Sequence, residues 1–218
     1  GAFPGVGIHE LYGSTEASVV TSLRPEDALR KAGSVGHPWF MTEVKLLDDD
    51  RNPVPPGVPG ELFSRSPMVM RGYLHNEEAT REAFTEDGFL TVGDIAVADE
   101  EGYISIVDRK KDMIIAGGVN IYPREIEEVI NRSPAVEECA VVGVPDDVYG
   151  ERVAAFLVAR PGERIDIAAL EQRVRAEVAS YKVPREWHVV DALPRNPAGK
   201  VLKTSIRAAY AASARTPD

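Results

Sequence analysis

The stretch Asp108-Arg109-Lys110-Lys111-Asp112-Met113-Ile114-Ile115-Ala116-Gly117-Gly118-Val119-Asn120-Ile121-Tyr122-Pro123-Arg124-Glu125-Ile126-Glu127-Glu128-Val129-Ile130 decides the fold. Before its charged head the chain reads as successive strands; after it, strands alternate with helices. Met113-Ile114-Ile115 reads as a short strand. Gly117-Gly118 is a turn that either links a strand to a helix or lets the backbone pass close to a ligand. Pro123 suits the first helical position, and Glu125, Glu127 and Glu128 suit the positive end of the helix dipole. Ile126, Val129 and Ile130 then share one apolar face. A boundary is expected near Lys110–Lys111, with a mainly β unit over 1–110 and a compact α+β unit over 111–218.

Working outward, residues 1–33 read as a short strand, a Tyr12-Gly13 turn and irregular chain. Residues 43–47 alternate polar and apolar, and 60–64 follow a Pro/Gly cluster, so both read as strands. Residues 77–84 form a candidate short helix. Residues 95–98 and 103–107 flank Asp99-Glu100-Glu101-Gly102, a hairpin signal. Downstream, strands are expected near 138–144, 152–159 and 187–190. Asp166 is placed to cap a helix carrying Ile167, Leu170, Val174 and Val178, and Thr204 to cap a last helix with Ile206 and Tyr210 inside.

Composition narrows the function. With 218 residues, 44% of them hydrophobic, the chain can bury a sizeable core, which excludes global disorder. A net charge of −10, with no basic stripe, excludes bulk nucleic-acid binding. Cys139 is the only cysteine, so no intramolecular disulfide forms, and its apolar surroundings predict a buried strand residue. No apolar run reaches the roughly 18 residues of a membrane span. No signal peptide is visible, so the cytoplasm is expected. His9, His37, His75 and His188 lack metal spacing, so no structural metal is expected. Met68 and Met70 read as packing residues. The start at Gly1, in mid-pattern, reads as part of a longer protein.

Four segments carry candidate chemistry. Tyr12-Gly13-Ser14-Thr15-Glu16 offers an aromatic face, a glycine for close approach, two hydroxyls and a carboxylate; alone it reads equally as an ordinary turn. Gly93-Asp94 sets a carboxylate, able to accept from two ribose hydroxyls, beside a flexible residue; alone it reads as a turn cap. Arg109 suits ribose or phosphate oxygens, or a surface ion pair. Lys200 sits on the Pro/Gly-built loop Leu193-Pro194-Arg195-Asn196-Pro197-Ala198-Gly199-Lys200, a cation held out on a stiff arm.

Together and in order, these segments, with Gly60-Glu61-Leu62, Gly72-Tyr73, Asp87-Gly88, Asp108–Asp112, Gly117–Pro123 and Glu125-Ile126-Glu127, resemble the adenylate-forming enzymes. That superfamily holds acyl-CoA synthetases, peptide-synthetase adenylation domains and beetle luciferases. The resemblance runs over nearly the whole chain, and Gly117–Pro123 looks most like fatty-acid and aryl-acid CoA ligases. Two departures are Val92, where Thr is frequent, and Val119, where Glu is frequent.

The resemblance implies an α+β fold: a distorted β-barrel-like subdomain over 1–110, the remainder of a large AMP-binding domain, and a small mobile C-terminal lid over 111–218. The family's N-terminal sheet subdomains, and its phosphate loop ending Pro-Lys-Gly, are absent from this sequence. The implied activity is AMP-forming ligation. A carboxylic acid reacts with ATP to give acyl-adenylate and pyrophosphate, and coenzyme A then takes the acyl group. Tyr12 would stack on adenine with Gly13 beside it, Thr15 would contact phosphate, Glu16 would hold Mg²⁺, Asp94 would bind ribose, and Arg109 ribose or phosphate. Lys200 would bridge the carboxylate and α-phosphate. Lys111 would be the hinge, and Gly117, Gly118 and Asn120 would serve the thiol step. The implied partners are a small carboxylic acid, ATP and CoA. This chain alone is expected to turn over little, and its N-terminal surface to favour self-association. Alternatives are an adenylation protein loading a carrier-protein thiol, and a non-catalytic remnant or interaction module.

Overall fold

The computed structural model describes residues 4–213. Residues 1–3, which belong to the 1–33 reading above, lie outside the described residues, as do 214–218. The chain divides into two compact units, Gly1–Lys110 and Lys111–Asp218.

The first unit begins with an antiparallel hairpin of β1 (Glu10–Ser14) and β2 (Ser18–Leu23), to which the short β3 (His37–Pro38) adds on the β2 side. This corrects two expectations. Tyr12 and Gly13 lie inside a strand, at a bulge, and the turn falls at residues 15–17; residues 18–23, read as irregular, form a strand. That strand was illegible because Val19-Val20 breaks the alternation. Its buried residues are Val20, Thr21 and Leu23, and Thr21 hides its hydroxyl by donating to the Val35 carbonyl at 2.7 Å.

A second sheet runs in simple order through β4 (Glu43–Leu47), β5 (Gly60–Arg65), β6 (Leu90–Ala98) and β7 (Ile104–Arg109), all antiparallel. Helix α1 (Glu77–Ala83) precedes β6, capped by Asn76, whose side chain accepts from the Ala79 N–H. The two sheets meet where Gly36 bridges Ile104. Ala17 and Val20 from the first sheet join Leu62, Leu90, Ala96 and Ile104 from the second in one buried cluster. The barrel-like expectation therefore takes the form of two sheets bent together and left open among the described residues.

In the second unit, β8 (Ile114–Ala116) and β9 (Val119–Ile121) form a two-residue hairpin over Gly117-Gly118. Both glycines have positive φ, +59° and +78°, as a primed turn requires. The turn thus joins two strands, and the helix starts only after β9. Helix α2 (Pro123–Asn131) has Pro123 at its start and buries Ile126, Val129 and Ile130. The long strands β10 (Val136–Asp146) and β11 (Gly150–Ala159) pair throughout, with β12 (Glu186–Val189) parallel to β11.

Period-two alternation splits this sheet's side chains between two cores. Val141, Val153, Ala155 and Leu157 pack with α2 and with α3 (Ile167–Glu177) on one face. Ala140, Val142, Val144, Ala154, Phe156 and Val158 pack with Ile206 of α4 (Lys203–Ser213) on the other. Burial on both faces explains the unbroken apolar run 139–144; each such aliphatic side chain contributes about 1.5–3 kcal/mol. Asp166 caps α3 by accepting from the Ala169 N–H at 3.1 Å. Thr204, by contrast, does not cap α4: the helix already includes Lys203, whose ammonium lies 2.7 Å from Glu127. Cys139 is a half-buried strand residue, its thiol pushed up to about 12 by burial.

Candidate functional site

Three of the expected residues, from segments far apart in sequence, meet in the first unit. Asp94 and Arg109 are cross-strand partners in the β6–β7 ladder. Asp94 is 5% exposed. Its Oδ1 lies 3.0 Å from Arg109 Nε, and its Oδ2 accepts the Tyr12 hydroxyl at 2.5 Å. Burial, and then this bond to a carboxylate, push the Tyr12 phenol well above the ordinary tyrosine range. A carboxylate offers about four acceptor positions. Two are taken, so Asp94 keeps capacity for further donors while its two partners fix its direction.

The backbone explains how the carboxylate is aimed. Gly93 holds φ at +79°, and its N–H donates to Thr91 Oγ1 at 3.0 Å. Gly13 has a different task from the one its sequence suggests. A Cβ there would fall 2.0 Å from the Ser18 carbonyl oxygen, so the close approach it permits is to β2, at the bulge that sets the Tyr12 ring.

The turn after β1 carries the other expected groups. The Ser14 hydroxyl accepts from the Ala17 N–H at 3.0 Å and closes the turn. Thr15 is exposed at its tip. The Glu16 carboxylate accepts from the Tyr73 hydroxyl at 3.2 Å, and its carbonyl accepts from the Met70 N–H at 2.7 Å. Tyr73, which had no assigned role, therefore orients the candidate metal ligand; Gly72-Tyr73 was the only signal for it. Met70 packs against the core, as expected, whereas Met68 is 43% exposed.

In the second unit, Lys200 sits on a closed turn. The Asn196 N–H donates to the Lys200 carbonyl and the Gly199 N–H to the Asn196 carbonyl, both at 2.9 Å. Asn196 Oδ1 accepts from the Lys200 N–H at 2.9 Å. Arg195 bonds the Gly199 carbonyl at 2.5 Å and ion-pairs with Glu138, anchoring the loop to β10. The backbone is thus tied at every turn. The Lys200 ammonium is exposed and, among the described residues, has no ion-pair partner.

At the Gly117-Gly118 turn, the Gly117 N–H donates to the Tyr149 carbonyl at 2.8 Å. A Cβ on Gly117 would meet the Tyr149 ring at 3.1 Å, while one on Gly118 would meet nothing within 4 Å. Arg185 lies over the Tyr149 ring at 4.7 Å, beside a cavity of about 270 Å³ that Val119 and Tyr181 also line. Asn120 is exposed in β9. Lys111 lies in a single 3-10 turn, Lys110–Asp112, with its side chain exposed.

Two family models match the chain. The AMP-binding enzyme model matches residues 1–74, and the AMP-binding enzyme C-terminal domain model matches residues 125–200. The chain is 46% identical to a long-chain-fatty-acid–CoA ligase of Escherichia coli O6:H1, over 91% of this chain and 35% of that protein. It is 44% identical to a feruloyl-CoA synthase of Amycolatopsis sp., over 93% of this chain and 41% of that protein. Among solved structures, o-succinylbenzoate CoA synthetase of Bacillus subtilis with its acyl-adenylate intermediate OSB-AMP superposes with a TM-score of 0.87 at 36% identity, over 93% of this chain and 41% of that one. The same synthetase with ATP and magnesium ion gives a TM-score of 0.84 at 36% identity, over 92% and 41%. The chain therefore spans well under half the length of the proteins it matches.

Proposed function

The chain belongs to the AMP-binding enzyme family, and from that premise we propose that it forms part of an AMP-forming acid–CoA ligase. The substrate of such an enzyme is a small carboxylic acid, of the fatty or aryl class, activated with ATP and passed to CoA. The observation that carries the reading is the Tyr12–Asp94–Arg109 constellation, in which a buried, directed carboxylate retains free acceptor positions beside a half-exposed guanidinium.

In this reading residues 1–110 belong to the nucleotide-binding domain and 111–218 form a mobile lid. Asp94 receives the ribose hydroxyls, Arg109 a ribose or phosphate oxygen, and Thr15 a phosphate, while the Tyr12 face and Gly13 border the adenine. Among the described residues no three His, Cys, Asp or Glu side chains converge. Glu16 would thus hold Mg²⁺ as a lone carboxylate, which suits an ion usually shared with substrate phosphates. The ion supplies charge neutralisation on the triphosphate. Lys200 meets the charge that builds where carboxylate and α-phosphate approach; a fixed, unneutralised cation does this without reorganising. Gly117, Gly118 and Asn120 serve the thiol step. The β1 edge, with Val6, Ile8 and Leu11 exposed nearby, supports self-association of the isolated chain. No described helix is long and apolar enough to cross a membrane.

Acid-dependent ATP–pyrophosphate exchange by a protein of the relatives' length containing this chain tests the reading. Exchange that depends on both Asp94 and Lys200 is expected; exchange indifferent to both would overturn it.

A further inference from the structure

We infer that Lys203 and Glu127 are a positioning pair for Lys200: their ion pair fixes one foot of the hairpin that carries Lys200, and the Arg195–Glu138 pair fixes the other. This deepens the ligase reading and rests on it for the chemistry that Lys200 performs.

Residues 194–202 form a small hairpin. Arg195 bridges Val201, the Leu202 N–H donates to the Pro194 carbonyl at 2.7 Å, and Lys200 follows the Asn196–Gly199 turn at the tip. A two-stranded hairpin is marginal in water by itself. Leu193 and Val201 pack with Ile206 of α4, but apolar contact is non-directional. Direction comes from two carboxylates. Glu138, on β10, pairs with Arg195. Glu127, on α2, lies 2.7 Å from the Lys203 ammonium through Oε1. The same oxygen accepts the Val141 N–H of β10 at 2.7 Å. Both feet are thereby tied to one strand.

Lys203 is the telling residue. It opens α4, where a cation opposes the helix dipole, so its charge does not serve the helix. Its side chain is 14% exposed and that of Glu127 17%, whereas Arg195 is 44% exposed. Exposed pairs contribute little; breaking a shielded pair leaves a charge uncompensated. The Lys203 foot is therefore the stiffer of the two, and it lies three residues from Lys200. Misplacing a reacting group by about 1 Å can cost about 10²-fold in rate. In the ligase reading only the adenylation step uses Lys200, so a loosened foot should slow that step and spare thioester formation.

Amide hydrogen exchange of this chain, read residue by residue by NMR, tests the clamp without turnover. Lys203→Met, and Glu127→Gln, which keeps an acceptor for the Val141 N–H, should speed exchange at Asn196 and Leu202 by about tenfold. The amides of β11 should not change, and Lys203→Arg should restore the parent rates. Unchanged hairpin amides in both variants would overturn the inference, and so would equal acceleration throughout β11, which would mark a merely structural pair. In a full-length protein, Lys203→Met should lower kcat for acid-dependent pyrophosphate exchange by up to about 10²-fold. KM for ATP, and thioester formation from supplied acyl-adenylate, should hold. In a Lys200→Ala background Lys203→Met should add no further loss, because the pair acts through Lys200. An additive loss, or an equal loss in thioester formation, would overturn the positioning role. Absence of exchange in the unsubstituted full-length protein would overturn the ligase reading alone, with the amide rates still deciding the clamp.

Discussion

The Asp94 cradle and the Lys200 loop are both short polar motifs, yet the two units build them in opposite ways. At Asp94 the functional atoms themselves are bonded, one carboxylate oxygen to Tyr12 and the other to Arg109, and the group is buried. At Lys200 only the scaffold is bonded: Asn196, Gly199 and Arg195 lock the backbone while the ammonium stays exposed. A group that receives neutral hydroxyls can be neutralised in advance by a neighbouring cation. A group that must meet new negative charge is weakened by any standing partner. Removing Asp94 should therefore disturb the fold, and removing Lys200 should not.

The largest effect expected from this contrast is on rate. In a full-length protein, Lys200→Ala should lower acid-dependent pyrophosphate exchange by about 10²–10³-fold. Its unfolding free energy in urea should stay within about 0.5 kcal/mol of the parent's, as for a surface substitution. An equal loss of stability would erase the distinction between the two regions. Two glycines sharpen it next. Gly13→Ala drives a Cβ into the Ser18 carbonyl and should cost up to about 3 kcal/mol, as overpacking does. Gly118→Ala meets no atom and should cost only the left-handed backbone penalty, about 1 kcal/mol. Equal losses in chemical denaturation would show that the bulge at Tyr12 is softer than its geometry indicates. Asp94→Ala leaves the Tyr12 hydroxyl buried without its acceptor, while Arg109, 44% exposed, can turn to water. A loss of about 2 kcal/mol is expected. A loss near zero would mean that the cradle is not preassembled.

What could be read in the sequence follows the same division. The second unit was legible because its helices bury a regular stripe, as in Ile126, Val129 and Ile130, and because Pro123 and Asp166 are local start signals. Strand β2 was hidden: Val19-Val20 does not alternate, and Thr21 is buried through a bond to Val35 that sequence does not announce. Thr204 misled because a capping residue type one position inside a helix looks the same as one at its end; the helix already includes Lys203, whose side chain pairs with Glu127, 76 residues away. At the site, residue types with chemical meaning were visible singly. That Tyr12 bonds Asp94, 82 residues on, was not, since no local pattern encodes it. Nor could Gly13 be told apart as a packing glycine without the strand beside it.

The smallest predicted effect tests the Tyr12–Asp94 bond through pH. Tyr12→Phe keeps the ring and removes only the donor, so near neutrality it should cost about 1 kcal/mol. The alkaline limb gives a second way to tell the two proteins apart. In the folded chain, burial and Asp94 hold the Tyr12 proton above the ordinary tyrosine value, whereas the unfolded chain releases it near pH 10, as a model tyrosine does. Below that pH the contribution is fully present. Above it the unfolded state binds fewer protons than the folded state, so stability falls as pH rises, by up to about 1.4 kcal/mol per pH unit. The Cys139 thiol, pushed up to about 12 by burial, adds a decline of the same sign to both proteins and cancels in the difference. Urea unfolding at pH 8 and at pH 11 should therefore show the stability gap between parent and Tyr12→Phe closing at the higher pH. A constant gap would mean that the phenol titrates freely in the folded chain, and that the Asp94 carboxylate is held by Arg109 alone.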